Sequence, residues 1–379
     1  MGRKRILFVI ESLGRGGAEK VLITLLQNIE RSKFNVTLCT IVDTGVHKKN
    51  IPQDIKYTTI ISLKSFCGSQ YLGNLVYKIK YKLVYNILPL TWVYKLFIPK
   101  GNDVEIAFVE GFSTKLVSHS SNKRSKKLAW VHTDLVNNHW ISSVYRNIKD
   151  ELNSYKKYNR IIGVSKNVVS SIRTLYGLEN VSVVHNPINS DEILERATTS
   201  LLIPSQRFRI VSTGRLVEQK GYDRLLRIFK RLVDDGLDIE LLLLGEGEDR
   251  EKLQTFIDQH KLQSRVYMPG FLENPFAEMS SCHLFVCSSR SEGYSTAVTE
   301  ALILGLPVVT TECSGMDELL SNGKYGIITS NDEESLYAAL KDIIKDRDKL
   351  EYYKQKSIER GQDFSLDKLM NSIEKLLDE

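Results

Sequence analysis

Short runs of consecutive apolar residues recur along the first half of the chain: RILFVI, VTLCTIV, VEIAFVE, KLAWVH, RIIGVS and VSVVHN, with helical patterns between them. After NPINSDEILERATTSLLIPSQ the pattern restarts with FRIVSTG, IELLLLG, VYMPG, LFVCSS, PVVTT and GIIT. Runs that are apolar at every position belong to strands buried on both faces, as in parallel sheets covered by helices. Two such series predict an α/β chain of two doubly wound domains. The restart sets the expected boundaries: a first domain over 1–186, a linker over 187–206 and a second domain over 207–363. The tail DFSLDKLMNSIEKLLDE predicts a helix at 364–379. A chain of 379 residues also exceeds the roughly 250 to 300 at which a single core stops growing.

Open parallel sheets bind ligands at the carboxyl ends of their strands, so the residues just after each run carry the chemical information. RILFVI breaks into ESLGRGGAEK, a strand-turn-helix pattern suited to phosphate. A dinucleotide fingerprint needs a third glycine where Glu19 stands, although Asp43 at the end of the next run is placed for a ribose. The Walker pattern fails, because no Gly-Lys-Ser/Thr follows. A tight turn with no ligand is the plain alternative. KLAWVH ends on His132, either a cleft-facing hydrogen-bonding group or a satisfied loop histidine.

In the second series FRIVSTG leads to Arg215 and Lys220, ahead of a helix starting near Tyr222. A guanidinium fork and an ammonium at a strand end suit a diphosphate; the alternative is a solvated loop. LFVCSS leads to SRSEGYSTAVTEALILGLPVV. A helix is expected from Ser295 or Thr296 to Leu304, with Gly305 at its C-cap and Pro307 beyond. Gly293 and small residues leave its N-terminal N–H groups open to an anion. Glu292 and Glu300 are spaced for one carboxylate to reach a sugar while the other holds a ribose; otherwise they are carboxylates favoured by the helix dipole.

Five cysteines without a C-x-x-C pair, and seven histidines without ligand spacing, suggest reduced thiols and no metal site. No stretch approaches the roughly 18 apolar residues of a membrane span, so a soluble, intracellular protein is expected. The net charge of +6 is unevenly spread: Lys64 to Lys100 holds six lysines and no Asp or Glu, with Phe66, Tyr71, Tyr77, Tyr81, Tyr85, Trp92, Tyr94 and Phe97 among them. Within residues 70–88, Leu72, Val76, Ile79 and Leu83 fall at helical spacing. Tyr77, Tyr81 and Tyr85 form a stripe beside Lys78 and Lys82. That is the pattern of an interfacial helix on an anionic membrane, or of a core helix with a solvated basic edge. Nucleic acid is a poor account of the charge, since no binding module is visible. SSNKRSKK at 120–127 reads as an exposed loop.

With these motifs assembled, the chain resembles the retaining glycosyltransferases of family 4, which have the GT-B fold. Glu292 and Glu300 look like that family's E-x7-E pair, GGAEK like its N-terminal loop, and GRLVEQKGYD like its Arg and Lys diphosphate clamp. LLLLGEGEDR and YMPGF look like its turns around the nucleotide. The resemblance implies two Rossmann-like domains facing across a cleft, a C-terminal helix crossing back onto the first domain, and neither metal nor cofactor. It implies a nucleotide-diphospho-sugar, UDP-linked by preference, held by Gly16, Gly17, Arg215, Lys220, Gly293, Tyr294, Ser295, Thr296 and Glu300. His132 and Glu292 take the catalytic positions, with the departing phosphate helping to deprotonate the acceptor. The opening half looks most like enzymes building capsule, lipopolysaccharide core or exopolysaccharide. This implies a saccharide acceptor, lipid-linked, met at the inner face of the cytoplasmic membrane by a surface bearing Tyr77, Lys78, Tyr81, Lys82 and Trp92. Tyr-Ser-Thr follows Gly293 where many relatives carry Phe-Pro, so the transferred sugar stays open. Rivals are a catalytically silent nucleotide-sugar-binding subunit and, on the same fold, an epimerase or a phosphorylase; the last needs a pyridoxal lysine site that is not found.

Overall fold

The computed structural model describes residues 2–62, 70–199, 203 and 206–379. Lys64, Phe66 and Cys67, the side chains of Tyr71 and Leu72, and part of the 187–206 segment lie outside the described residues. The first sheet comprises β1 (Lys4–Ile10), β2 (Phe34–Val42), β3 (Lys56–Ile61), β4 (Val104–Ala107), β5 (Lys126–Val131), β6 (Arg160–Gly163) and β7 (Val181–Val183). Its order is β3-β2-β1-β4-β5-β6-β7, every pairing parallel. The second holds β8 (Phe208–Thr213), β9 (Ile239–Leu244), β10 (Val266–Gly270), β11 (Leu284–Cys287), β12 (Val308–Thr311) and β13 (Ile327–Thr329), ordered β10-β9-β8-β11-β12-β13 and also parallel. The two doubly wound α/β units expected from the run pattern are both present.

In each sheet the winding reverses beside its first strand. Ile6 pairs with Val104 at the β1–β4 junction, and Ile210 with Leu284 at the β8–β11 junction. These switch points are where an open parallel sheet leaves a crevice at its carboxyl edge. The loops after β1, β4, β8 and β11 rim them, and these loops carry most of the residues singled out above. The central strands are wholly buried, Ile6 to Val9 in one sheet and Leu241 to Leu243 in the other. Apolar clusters on both faces of the second sheet fix its helices.

The run pattern missed β3, KYTTII. Among the described residues it is an edge strand paired to β2 alone, and half-buried Thr58 and Thr59 interrupt its apolarity. Lys126 and Lys127, expected in an exposed loop, instead open β5, where their stems stay half-buried at the strand entry.

The chain divides into two compact units, Met1–Pro187 with Asp367–Glu379, and Ile188–Leu366. The helix Leu366–Asp378 is fastened in the first unit. The Glu374 carboxylate accepts from the Glu30 N–H (2.9 Å) and from Lys33 (3.2 Å), and Lys126 Nζ donates to the Leu376 carbonyl (3.2 Å). Within 187–206, residues Ser190–Ala197 form a helix capped by the Asn189 side chain, and its Ile193 enters the core of the second unit.

Candidate active site

In the second unit the chain leaves β8 through Gly214, forms a tight turn at Glu218–Lys220 and enters the helix Tyr222–Asp234 through Gly221. Gly221 is left-handed, with φ +66°, and a Cβ there would sit 2.1 Å from the Ser288 carbonyl oxygen. The absent side chain therefore lets this loop lie directly on the end of β11. Polar bonds complete the junction. Ser288 Oγ donates to the Lys220 carbonyl (2.9 Å), Gln219 Nε2 to the Ser291 carbonyl (2.8 Å), and the Arg290 N–H to the Gln219 carbonyl (2.7 Å). Arg290 grips Asp223 through two bonds of 2.8 and 2.9 Å, while Arg224 donates to the carbonyls of Ser288 (2.9 Å) and Ser289 (2.8 Å).

At the centre Lys220 Nζ meets Glu292 Oε1 at 2.6 Å, and Ser289 Oγ donates to the same oxygen at 2.6 Å. Glu292 Oε2 takes no hydrogen bond among the described residues, so half of the carboxylate remains available. Burial by itself would pull the Lys220 pKa down. The Glu292 carboxylate, the nearby Cys287 sulfur and the hydrogen bond outweigh it, and the pKa is raised. Lys220 is therefore an ammonium at neutral pH. Arg215 lies near enough to oppose that charge, is exposed, and its guanidinium makes no hydrogen bond among the described residues.

The helix Thr296–Ile303 follows, one residue shorter at its end than expected, with Gly305 just beyond at φ +71°. Ser295 is its N-cap, the hydroxyl accepting from the Val298 N–H at 3.4 Å. The N–H groups of Thr296 and Ala297 precede the first helical hydrogen bond. Glu300 is buried inside this helix and engaged within the protein. Tyr294 is half-buried against the second unit's core. Gly293 is crowded from the CSGMD turn, where a Cβ on Gly315 would sit 2.5 Å from the Gly293 carbonyl. Ser291 Oγ is buried with no hydrogen-bond partner among the described residues.

In the first unit Gly16 caps the helix Gly17–Asn28, and Glu19, at the third helical position, folds back over it. A Cβ on Gly16 would fall 2.1 Å from Glu19 Oε2. The carboxylate thus lies against the start of the helix, close to where an anion was expected.

His132 follows β5. Its N–H donates to Glu110 Oε2 (2.8 Å), and its Nε2 contacts the Phe108 carbonyl (2.9 Å). A carbonyl only accepts, so Nε2 carries the proton. Burial lowers the pKa, only partly offset by Glu110 and that carbonyl. The ring is neutral at pH 7, with Nδ1 as its acceptor. Glu110 also accepts from the Trp140 indole N–H at 3.3 Å through its other oxygen. Glu110 and Trp140 escaped the sequence reading. The one visible signal was a glutamate closing the otherwise apolar run VEIAFVE.

The basic segment forms the helix Gln70–Lys82, a π turn at Leu83–Ile87 and the helix Leu90–Phe97. Lys78, Lys80, Lys82 and Lys95 are exposed, together with Leu75, Ile79, Tyr81, Ile87, Trp92 and Leu96; Tyr77 is half-buried. Among the described residues no helix is long and apolar enough to cross a membrane.

Comparison with solved structures gives these two parallel doubly wound units the GT-B fold. Anabaena HepE in complex with UDP and glucose matches with a TM-score of 0.77 over 99% of this chain and 100% of that one, at 20% identity. Sucrose-phosphate synthase from Thermosynechococcus elongatus matches with 0.77 over 99% and 98%, at 14% identity. Residues 195–360 match the family model of the glycosyl transferases group 1. An uncharacterised glycosyltransferase of Methanocaldococcus jannaschii is 32% identical over 244 residues, which span 56% of this chain and 58% of that relative. The N-acetylgalactosamine-N,N'-diacetylbacillosaminyl-diphospho-undecaprenol 4-alpha-N-acetylgalactosaminyltransferase of Campylobacter jejuni is 28% identical over 379 residues, covering 97% of this chain and 98% of that one.

Proposed function

We propose that this protein is a retaining, metal-independent glycosyltransferase that moves a sugar from a UDP-sugar to a saccharide carried on a lipid, in the synthesis of a cell-surface polysaccharide. The observation that carries the reading is the Lys220–Glu292 pair, which leaves one carboxylate oxygen open beside a fixed ammonium and an uncommitted guanidinium. As the bond between the anomeric carbon and the β-phosphate oxygen breaks, negative charge grows on the diphosphate. Lys220, Arg215 and the leading N–H groups of the helix Thr296–Ile303 are prearranged to stabilise it without reorganisation. Glu292 Oε2 and Ser291 Oγ receive hydroxyls of the transferred sugar, and Glu300 the ribose. Gly16 and Gly17, without side chains, suit backbone contact with a phosphate. His132 offers Nδ1 to a sugar hydroxyl.

The acceptor class follows the full-length likeness to the Campylobacter enzyme, whose name specifies a saccharide on diphospho-undecaprenol. It also follows the exposed lysine and aromatic surface of residues 75–96, which suits the anionic inner face of the cytoplasmic membrane. A silent sugar-nucleotide-binding subunit is disfavoured, because Lys220 and Glu292 are already set in a charged pair.

The test is a thermal-shift panel of UDP- and GDP-sugars without added metal, repeated on Glu300→Ala. Ligand at about 100 times Kd stabilises by about 2.7 kcal/mol. A shift with one UDP-sugar that the variant loses supports the reading; no shift with any of them overturns it.

A further inference from the structure

One buried carboxylate holds two groups of the first unit in register. Glu110 uses Oε2 for the His132 backbone N–H and Oε1 for the Trp140 indole N–H. Trp140 is nonetheless 44% exposed. A large aromatic ring left in water yet pinned at its polar end has lost its freedom before any ligand arrives, as a binding platform requires. Beside it Gly111 has φ +98°, and a Cβ there would come within 3.1 Å of Trp140 Cη2. Glycine is therefore what allows the indole to lie along the end of β4.

The next residue, Phe112, is buried and joins a row of packed aromatic rings. Phe112 packs on Tyr85 with ring centroids 4.2 Å apart, Tyr85 stacks on Tyr81 at 4.3 Å, and Tyr81 meets Tyr77 at 6.1 Å. Tyr85 is held by its hydroxyl, which donates to Glu11 Oε1 at 2.6 Å, and it sits inside the π turn, a device often found at functional sites. Tyr81 is 41% exposed. An aromatic row thus runs from the strand ends beside His132 to the exposed basic helix. Glu11 and Glu110 line its inner side, which disfavours a polyanion stacking there and favours neutral, hydroxyl-bearing rings.

We propose that Trp140, fixed by Glu110, is the platform on which a sugar of the acceptor stacks beside His132, and that Tyr81 takes a second sugar further along. The acceptor is then an oligosaccharide, its growing end at His132 and its lipid-borne end over the basic helix. This rests on the transferase reading above and adds the class and direction of its acceptor.

The test is saturation-transfer NMR on the full chain, using mono- and trisaccharides of glucose, galactose and their N-acetylamino forms. At least one trisaccharide is expected to show saturation at two or more rings and to bind better than its monosaccharide. Trp140→Ala should weaken it about tenfold, Trp140→Phe less, and Tyr81→Ala should remove saturation from the reducing-end ring alone. Trp140 and Tyr81 are exposed, so unchanged melting temperatures in these variants establish an intact fold. No saturation with any saccharide, or saturation unaffected by Trp140→Ala, overturns the proposal. The transferase reading fails separately, through absent UDP-sugar shifts, which none of these variants alters.

Discussion

Lys220 and Glu292 meet at 2.6 Å through a single carboxylate oxygen, which also receives the Ser289 hydroxyl. Both side chains are mostly buried, so each is the other's principal charge compensation. Breaking a buried pair leaves an uncompensated ion and costs about 3 kcal/mol or somewhat more. Glu292→Gln is expected to lower stability on that scale and to reduce transfer at least about a hundredfold, the size seen when one preorganised electrostatic group is removed. UDP-sugar binding should persist. Melting curves, binding isotherms and turnover on one preparation check all three, and near-normal turnover removes Glu292 from the mechanism.

The same pair sets an alkaline limit. The Lys220 pKa in the folded chain lies above its ordinary 10.5, so the unfolded chain releases this proton first as pH rises. The stabilisation is complete below about 10.5 and is lost as pH climbs through the folded value. Lys220→Met should flatten that part of the stability curve, measured by denaturant melts between pH 9 and 11.5.

His132 has the opposite sign. Burial holds its pKa below the ordinary 6.5, so the unfolded chain takes up the proton first as pH falls. Its contribution is present above pH 6.5 and lost as pH drops through the folded value. His132→Gln, uncharged throughout, should show a shallower loss of melting temperature between pH 6.5 and 5 than the parent chain. Identical slopes in the two proteins would contradict the assigned neutral ring.

Gly221 joins backbone geometry to the site. An alanine there pays the left-handed penalty of roughly 1 kcal/mol and drives its Cβ against the Ser288 carbonyl. Relief of that contact must move either the Lys220 turn or the end of β11. Gly221→Ala should therefore lose transfer far out of proportion to its modest drop in melting temperature; preserved activity would show that the loop yields elsewhere.

The strands were legible because both-face burial writes itself as uninterrupted apolar runs, and β3 was missed because half-buried Thr58 and Thr59 break its run. Loops after strands pointed to Arg215, Lys220, Glu292 and His132 for the same topological reason. Spacing along the chain cannot reveal bonds made between distant segments. Asp223 and Arg290 are 67 positions apart, yet they join the two loops around Lys220 and Glu292. Glu110 and Trp140 are 30 apart.

Arg209 and Glu240 belong with these hidden partners. Each is a charged residue inside an apolar run, and they face each other in register as a buried pair between β8 and β9. Glu240→Leu alone should cost about 3–5 kcal/mol, whereas Arg209→Met with Glu240→Leu should recover most of it. Denaturant melts of the two single variants and the double variant give the coupling.

The basic segment makes the last prediction. Trp92 and Leu96 are 64% and 65% exposed, and Ile79 and Ile87 are exposed near Lys78, Lys80, Lys82 and Lys95. Apolar side chains in water beside cations, with no acidic residue from 64 to 100, are matched by a surface that is apolar within and anionic at its face. Each lysine near such a surface contributes about 1 kcal/mol. Exchanging Lys78, Lys80 and Lys82 for glutamate should therefore weaken vesicle binding by on the order of 100-fold or more. Flotation with phosphatidylglycerol vesicles should capture the parent chain at low salt and release it at high salt, through screening. Trp92→Ala should weaken capture while leaving its salt dependence intact, because it removes the inserted apolar anchor and not the charge. Equal capture by neutral and anionic vesicles would mean that the lysines serve only as the solvated edge of a packed helix.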